Sequence, residues 1–455
     1  MLKHLPIKKL ILASGDALLV VISFYLCYSI RHGELIDVFY RYTGAAILSI
    51  FIFIFIFHIA DVYNTEGKFY SINNIIKLVI TIAIANSLIA SAFFLFHLGS
   101  YSRIVFLLNP VFIFGFLISW RIVFGMFSKY REKPSRILVV GASWAGRELY
   151  SILDGNDNFE IIGYLDDEKE IGTTIGHSKV IGDTSLLQSL VKDKDIDEVV
   201  VAITHAKSPE LFKRITDIKF KGVEIYDMPR FYEKVSAKIP VSHINYNWLC
   251  YSNFYDIRRN LYNLKIKNVL DKIVAILIII ITFPLIIMSI LAIKLSSKGP
   301  VFFVQERVGE GLENINIIKF RTMKHGMEEE RGLAGFRNDP RITGVGKILR
   351  FFRFDEIPQL WNVIKGDMSI VGPRALMKEE VSRFSKEIPY FCLRQFVKPG
   401  ITGWAQVNYK HGTDAEDAIE KLQYDLFYIN NLSPILDFHI LLKTIKVVMF
   451  GRGAN

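Results

Sequence analysis

The chain has 455 residues, 51% of them hydrophobic and 22% charged, with a formal net charge of +10. At roughly 100–200 residues per domain, that length holds two to four domains. The apolar excess over the ~45–50% of soluble proteins sits in the N-terminal region and one later run, which excludes a wholly soluble enzyme; the charged remainder excludes a pure membrane bundle.

Four apolar stretches open the chain, at Leu10–Ile30, Gly44–Ala60, Ile75–Leu98 and Ile104–Phe127. Each approaches the ~20 residues that cross ~30 Å of hydrocarbon as a helix. Ile50–Phe57 alternates Ile and Phe without a polar residue, which suits a helix surrounded by lipid. The first stretch is too long for a signal peptide and has no small-residue cleavage site. Lys3, Lys8 and Lys9 precede the first span, and Lys129, Arg131, Lys133 and Arg136 follow the fourth. Four spans put both groups on one side, and the positive-inside rule makes that side cytoplasmic. Asp16 lies within the first span and reads as a helix–helix contact or an interfacial charge.

Beyond residue 134 the texture becomes α/β. Arg136–Val140 is a β-branched strand run followed by Gly141-Ala142-Ser143-Trp144-Ala145-Gly146 and a helical pattern. Phe159–Leu165 and Glu198–Ile203 read as further strands, with helical stretches between, which indicates a parallel sheet. The glycine turn is a candidate phosphate cradle, with Gly141 and Gly146 supplying the turn. Asp166 lies ~20 residues on, at the place of a ribose-binding acid. Ser143 stands where a glycine normally lets the backbone approach the pyrophosphate. The region over 134–256 is therefore expected to be a Rossmann-like nucleotide-binding or regulatory domain, with a purely structural role as the alternative. Cys27, Cys250 and Cys392 lie far apart and form neither a disulfide framework nor a zinc site.

Val269–Lys294 is the second concentration of apolar residues. It has the length of a fifth span, which would carry everything after it across the membrane. Pro284, near its middle, removes a backbone hydrogen bond and bends a helix. A broken helix that enters and leaves on the same side is the alternative; periodicity and flanking lysines do not separate the two.

The chemistry is concentrated in the last third. The blocks are Gly299–Gly309, Ile318-Lys319-Phe320-Arg321-Thr322-Met323, Asp339-Pro340-Arg341-Ile342-Thr343, Asp355-Glu356-Ile357-Pro358-Gln359 continuing to Gly372-Pro373-Arg374, Lys398–Val407 and Tyr424-Asp425-Leu426. Between Lys319 and Arg353 there are nine Lys/Arg against four Asp/Glu. Cations beside carboxylates suit a divalent metal and a diphosphate. Of the adjacent Asp355 and Glu356, one carboxylate can attack phosphorus while the other holds Mg²⁺. Arg374, on a Gly-Pro turn, can clamp phosphate. An Asp-Glu pair alone is common at solvated helix starts. A basic segment alone also fits an anionic membrane surface. Nucleic acid is excluded as a partner by the spans and by the lack of any nucleic-acid fold signature.

Taken together, these blocks resemble the bacterial sugar transferase family, the monotopic phosphoglycosyl transferases, and the whole layout resembles their long form. The string Asp355–Arg374 with Lys398–Val407 carries the resemblance most specifically. It implies a membrane protein of α plus α/β class. A four-helix transmembrane bundle would occupy 1–128, a Rossmann-like domain 134–256, and an α/β catalytic domain 263–455. That last domain would hold a re-entrant helix, 269–294, broken at Pro284. It further implies Asp355 as nucleophile, Glu356 as Mg²⁺ ligand and Arg374 as a catalytic phosphate clamp. Lys319, Arg321, Arg341, Lys398, Gln406 and Asp425 are then the expected substrate contacts. The reaction implied is transfer of a sugar-1-phosphate from a UDP-sugar to undecaprenyl phosphate with release of UMP. That is the first membrane step of exopolysaccharide, capsule or O-antigen assembly, on the cytoplasmic face of the bacterial inner membrane. The sugar and a homodimer stay open. The other reading is a membrane-anchored nucleotide-sugar sensor with a silent dyad. Family sequences often carry Lys-Arg-x-x-Asp at the entry to the membrane helix, where this chain has Lys267-Asn268-Val269-Leu270-Asp271.

Overall fold

The computed structural model describes residues 7–32, 35–60, 62–63, 72–96, 103–129, 134–203, 209–220, 222–243, 265–324, 326, 339–409 and 414–449. Lys3, Arg131 and Lys133 of the orientation argument lie outside them, as does the expected domain boundary between residues 256 and 263. The chain divides into two units, Met1–Lys133 and Pro134–Asn455.

The first unit is four helices: α1 Ile7–His32, α2 Leu35–Ile59, α3 Ile72–Phe96 and α4 Arg103–Lys129. They pack through Leu12, Phe24 and Tyr28 on α1, Phe53 and Phe57 on α2, Ile82 and Ile89 on α3, and Ile113 and Leu117 on α4. Large apolar side chains also point outward, among them Leu18, Phe51, Phe94 and Leu107. Helices apolar on both faces are lipid-embedded, so this unit makes the chain a membrane protein. Asp16 is buried against Arg121, whose Nη2 and Nη1 donate to Oδ2 and Oδ1 at 2.9 and 3.2 Å. Ser23 Oγ donates to Asn109 Oδ1 at 2.8 Å. Asp16 is thus a helix–helix contact between α1 and α4.

The second unit opens with a sheet formed by β1 Ser135–Val140, β2 Phe159–Leu165, β3 Thr174–Ile175, β4 Ser178–Gly182, β5 Glu198–Val201 and β6 Glu224–Asp227, in the order β3-β4-β2-β1-β5-β6. All pairings are parallel except β3 with β4. Side chains alternate across β1: Ile137 and Val139 enter one core, Leu138 and Val140 the other. Helices α5 Trp144–Leu153, α6 Leu187–Asp193, α7 Pro209–Phe220 and α8 Met228–Ser236 complete this region.

The remainder begins with α9, Lys267–Ser296, a 30-residue helix. An antiparallel hairpin follows, β7 Phe302–Val308 with β8 Asn314–Phe320. Then come α10 Gly344–Phe351, α11 Gln359–Lys365, β9 Ser369–Val371, α12 Lys378–Glu387, β10 Gly400–Thr402, α13 Trp404–Asn408, α14 Ala415–Asn430 and α15 Pro434–Met449. Strands β9 and β10 pair in parallel. Pro284 lies inside this helix, where a proline lacks the N–H that would bond one turn back. Helix α9 packs one face inward along its whole length. Ala275, with Val274, Ile278 and Ile279, joins the main core. Ile293, with Ile286 and Ile290, joins a second cluster containing Phe320 and Leu349. Ile357 touches both clusters. The opposite face, including Ile280, Ile281, Phe283 and Met288, is exposed.

The sheet region docks on the segment that follows it. Asn430 Nδ2 donates to Glu233 Oε1 at 3.0 Å, Trp404 Nε1 to the Ala237 carbonyl at 3.0 Å, and the Ile239 amide to the Gln423 carbonyl at 3.1 Å. Lys238 pairs with Glu420. These contacts join the sheet region to the C-terminal region within the second unit.

Candidate active site

The Asp355-Glu356 pair sits in a single 3₁₀ turn, Phe354–Glu356, between α10 and α11. Helix α10 ends at Phe351, and just beyond it Arg353 takes the left-handed conformation at φ 57°. That conformation is unfavourable for any residue with a Cβ, and it swings the chain so that the pair starts a new turn. Asn362 of α11 then ties this turn to the hairpin: its Nδ2 donates to the Asn316 carbonyl at 2.7 Å and its Oδ1 accepts the Ile318 amide at 3.1 Å. Lys319 on β8 is thereby brought to Glu356, Nζ to Oε1 3.4 Å. Arg374 arrives from the other side. It follows β9, where the backbone lies so close to β10 that a Cβ on Gly400 would stand 2.1 Å from the Gly372 nitrogen. Its Nη2 is 3.4 Å from Glu356 Oε1. Arg353 Nη1, at 3.9 Å, completes a ring of three cations on one carboxylate oxygen.

The two acids are driven apart. Burial alone would raise Glu356, but Arg374, Lys319 and Arg353 overcome it and hold the group well below the usual carboxylate range. Asp355 moves the other way: burial, reinforced by the negative Glu356, pushes it up to about 6. Its Oδ1 is buried without a hydrogen-bond partner. Burial pushes the Lys319 amine down, against the pull of Glu356. An ionised acid locked among cations beside an under-solvated, unpartnered acid is an arrangement in which two carboxylates take different roles. Two adjacent carboxylates, one with a free buried oxygen, also fit Mg²⁺. That ion is held by one or two carboxylates and completed by substrate phosphates and water.

Lys319 and Arg374 are the expected residues that meet the dyad. Arg321, also buried, turns toward the end of α9 and donates Nη2 to Ser297 Oγ at 2.9 Å and to its carbonyl at 3.0 Å. Its Nε and Nη1 have no partner. The other expected substrate contacts have these neighbours. Arg341 is bound to Asp339, Nη2 to Oδ2 2.7 Å, because the two are close in one turn. Lys398 Nζ lies 3.5 Å from Asn268 Oδ1 at the start of α9. Gln406 Nε2 donates to the Ile401 carbonyl at 3.0 Å. Asp425 is buried on α14 against Arg394, 2.8 Å away. Arg353 and Arg350, which face Asp355 and Glu356, were hidden in sequence within a generally basic run. Arg394 gave no signal at all.

In the central glycine turn, Asp166 Oδ2 accepts the Ala142 amide at 2.6 Å, and Oδ1 accepts the amides of Glu168 and Lys169 at 2.9 and 3.1 Å. The acid expected on a ribose thus accepts backbone amides in this structure. Packing accounts for Gly146, where a Cβ would lie 2.3 Å from the Gly141 carbonyl oxygen.

Comparison with known proteins places this arrangement. The bacterial sugar transferase model matches residues 262–451, and a CoA-binding domain model matches 58–229. The UDP-N-acetylgalactosamine-undecaprenyl-phosphate N-acetylgalactosaminephosphotransferase of Aeromonas hydrophila is 38% identical over 236 residues, 51% of this chain and 54% of that protein. The UDP-glucose:undecaprenyl-phosphate glucose-1-phosphate transferase of Xanthomonas campestris is 28% identical, over 70% of this chain and 67% of that one. The Caulobacter vibrioides enzyme of the same name is 41% identical, over 41% of this chain and 71% of that one. The match thus spans about half the length of the Aeromonas relative. With the dyad, its cations and the apolar helix all inside the matched stretch, the chain belongs to the bacterial sugar transferase family.

Proposed function

We propose that the chain transfers a sugar-1-phosphate from a UDP-sugar to undecaprenyl phosphate. The observation that carries this is the divided dyad: an unpartnered, buried Asp355 oxygen beside a Glu356 ringed by Lys319, Arg353 and Arg374. An Asp355 oxygen attacks the sugar-proximal phosphorus. The bond from that phosphorus to the bridging oxygen breaks, and UMP leaves with the electron pair. A phosphate oxygen of undecaprenyl phosphate then attacks the same phosphorus, the aspartyl oxygen leaves, and the carboxylate is restored. Lys319, Arg353 and Arg374 offset the negative charge of the diphosphate. Glu356 and Asp355 would hold Mg²⁺, which when bound neutralises phosphate oxygens. The half-paired guanidinium of Arg321, at the foot of α9, suits the lipid phosphate.

A re-entrant α9 is supported by its packing. Thirty helical residues rise ~45 Å in all, yet the halves before and after Pro284 both rest on the same catalytic body and share Ile357. Both ends then lie on the cytoplasmic side of the bacterial inner membrane, where UDP-sugars are. In the central domain, the strand order β4-β2-β1-β5-β6 supports a Rossmann-like fold. The relatives' names include glucose, galactose and N-acetylgalactosamine; UMP release from each UDP-sugar, in membranes supplied with undecaprenyl phosphate and Mg²⁺, tests the reading and identifies the sugar. Absence of UMP with every donor, in membranes where the protein is folded, would reject it.

A further inference from the structure

We infer that the buried Asp425–Arg394 pair positions Arg374, fixing its main chain and so its guanidinium on Glu356. The inference rests on the phosphosugar-transfer reading above and deepens it. Arg394 and Asp425 are 6% and 1% exposed and lie 2.8 Å apart. A buried ion pair gains little stability over apolar residues of the same size, because both charges lose their water. What such a pair supplies is direction. The guanidinium is planar and rigid, and its Nη2, held 2.8 Å from Asp425 Oδ2 by the ion pair, also donates to the Arg374 carbonyl at 3.0 Å. Across the chain the Gly400 amide donates to the Pro373 carbonyl at 2.9 Å, and Arg374 bridges to Gly400. The main chain at Arg374 is therefore held on two sides. Its side chain is not: 37% of it is exposed, and it donates to Glu356 Oε1 at 3.4 Å. For a long, half-exposed side chain, a fixed root is what narrows the arc its tip can sweep. Arg394 reaches neither Glu356 nor Asp355, so it acts through Arg374 as a positioning residue.

The test uses the full chain in membranes, with UDP-glucose, UDP-galactose and UDP-N-acetylgalactosamine supplied in turn with undecaprenyl phosphate. Arg394→Met is expected to lower kcat about tenfold or more, with KM for undecaprenyl phosphate unchanged; Arg394→Lys, which keeps the charge, recovers part of the loss. In an Arg374→Lys background, Arg394→Met should add less than about twofold, because a residue acting through Arg374 has nothing left to position. The same factor in both backgrounds, or an unchanged kcat in Arg394→Met, overturns the inference. If Arg394→Met does not fold, Asp425→Asn, which keeps shape and removes charge, is read by the same cycle. No UMP from the unaltered chain with any donor removes the reaction and this role together, whereas an active chain with additive losses removes the role alone.

Discussion

Lys267 Nζ lies 2.5 Å from Asp437 Oδ2, and both side chains are buried. The entrance of the apolar helix is thus pinned to α15, with Asp271 adding a second acid at 3.8 Å and passing to Ser369 Oγ at 2.6 Å. Tyr428 Oη donates to the other oxygen of Asp437 at 2.8 Å. Removing one member of a buried pair leaves a charge without compensation, at a cost of about 3–5 kcal/mol. Lys267→Met should therefore lower the detergent-solubilised protein's unfolding midpoint by several degrees, and Asp437→Asn should do the same. A midpoint unchanged in both would show that the network contributes nothing to α9's seat.

Asp355 should set the acid limb of activity. A nucleophilic carboxylate must be ionised, and burial with the Glu356 charge raises this group to about 6. The rate is expected to fall as pH drops through that value. Stability runs the opposite way. The folded pKa lies above the unfolded one, so this group's stabilising contribution is complete below the unfolded pKa near 3.8 and is lost as pH rises through about 6. Asp355→Asn should be inactive, fail to trap phosphosugar, and melt higher than the unaltered protein at pH 8. Turnover by Asp355→Asn would remove the nucleophile assignment.

The membrane bundle makes a parallel prediction. Arg121 and Asp16 form a two-pronged, buried pair between α4 and α1. Arg121→Leu strands a buried carboxylate, whereas changing both residues to leucine removes the charges together. The single change should cost about 3–5 kcal/mol and the double change much less. Protease resistance of the N-terminal unit in membranes measures the difference; equal losses would refute the pairing.

Periodicity and composition made the spans and the parallel sheet legible, because burial in lipid or between helices leaves long runs such as Ile50–Phe57 and Val199–Val201. Asp355 and Glu356 were legible through the motif around them. The cations were legible only as a basic segment. Which of them reach the dyad depends on Asn362 tying α11 to β8 and on the turn at Arg353, and no local pattern encodes either. Arg341, Lys398, Gln406 and Asp425 belong to blocks with specific sequence, and no local pattern showed that their side chains would meet Asp339, Asn268, the Ile401 carbonyl and Arg394. Spacing after a strand pointed to Asp166, and spacing alone did not show that its carboxylate accepts the amides of Ala142, Glu168 and Lys169.

Arg353 offers the sharpest separation of framework from chemistry. Its left-handed backbone, φ 57°, is a conformation that glycine adopts without penalty. The strain of a Cβ there is on the order of 1 kcal/mol, and in return the guanidinium stands 3.9 Å from Glu356. Arg353→Gly should therefore fold at least as well as the unaltered chain, within about 1 kcal/mol, since relief of strain offsets the added freedom of the unfolded state. Its activity should fall by about tenfold or more through loss of one of three cations around the dyad. Arg353→Ala keeps the strain and loses the cation, so it should be as inactive and less stable. If Arg353→Gly retains full turnover, the arginine serves only the turn, and the cation ring at the dyad reduces to Lys319 and Arg374.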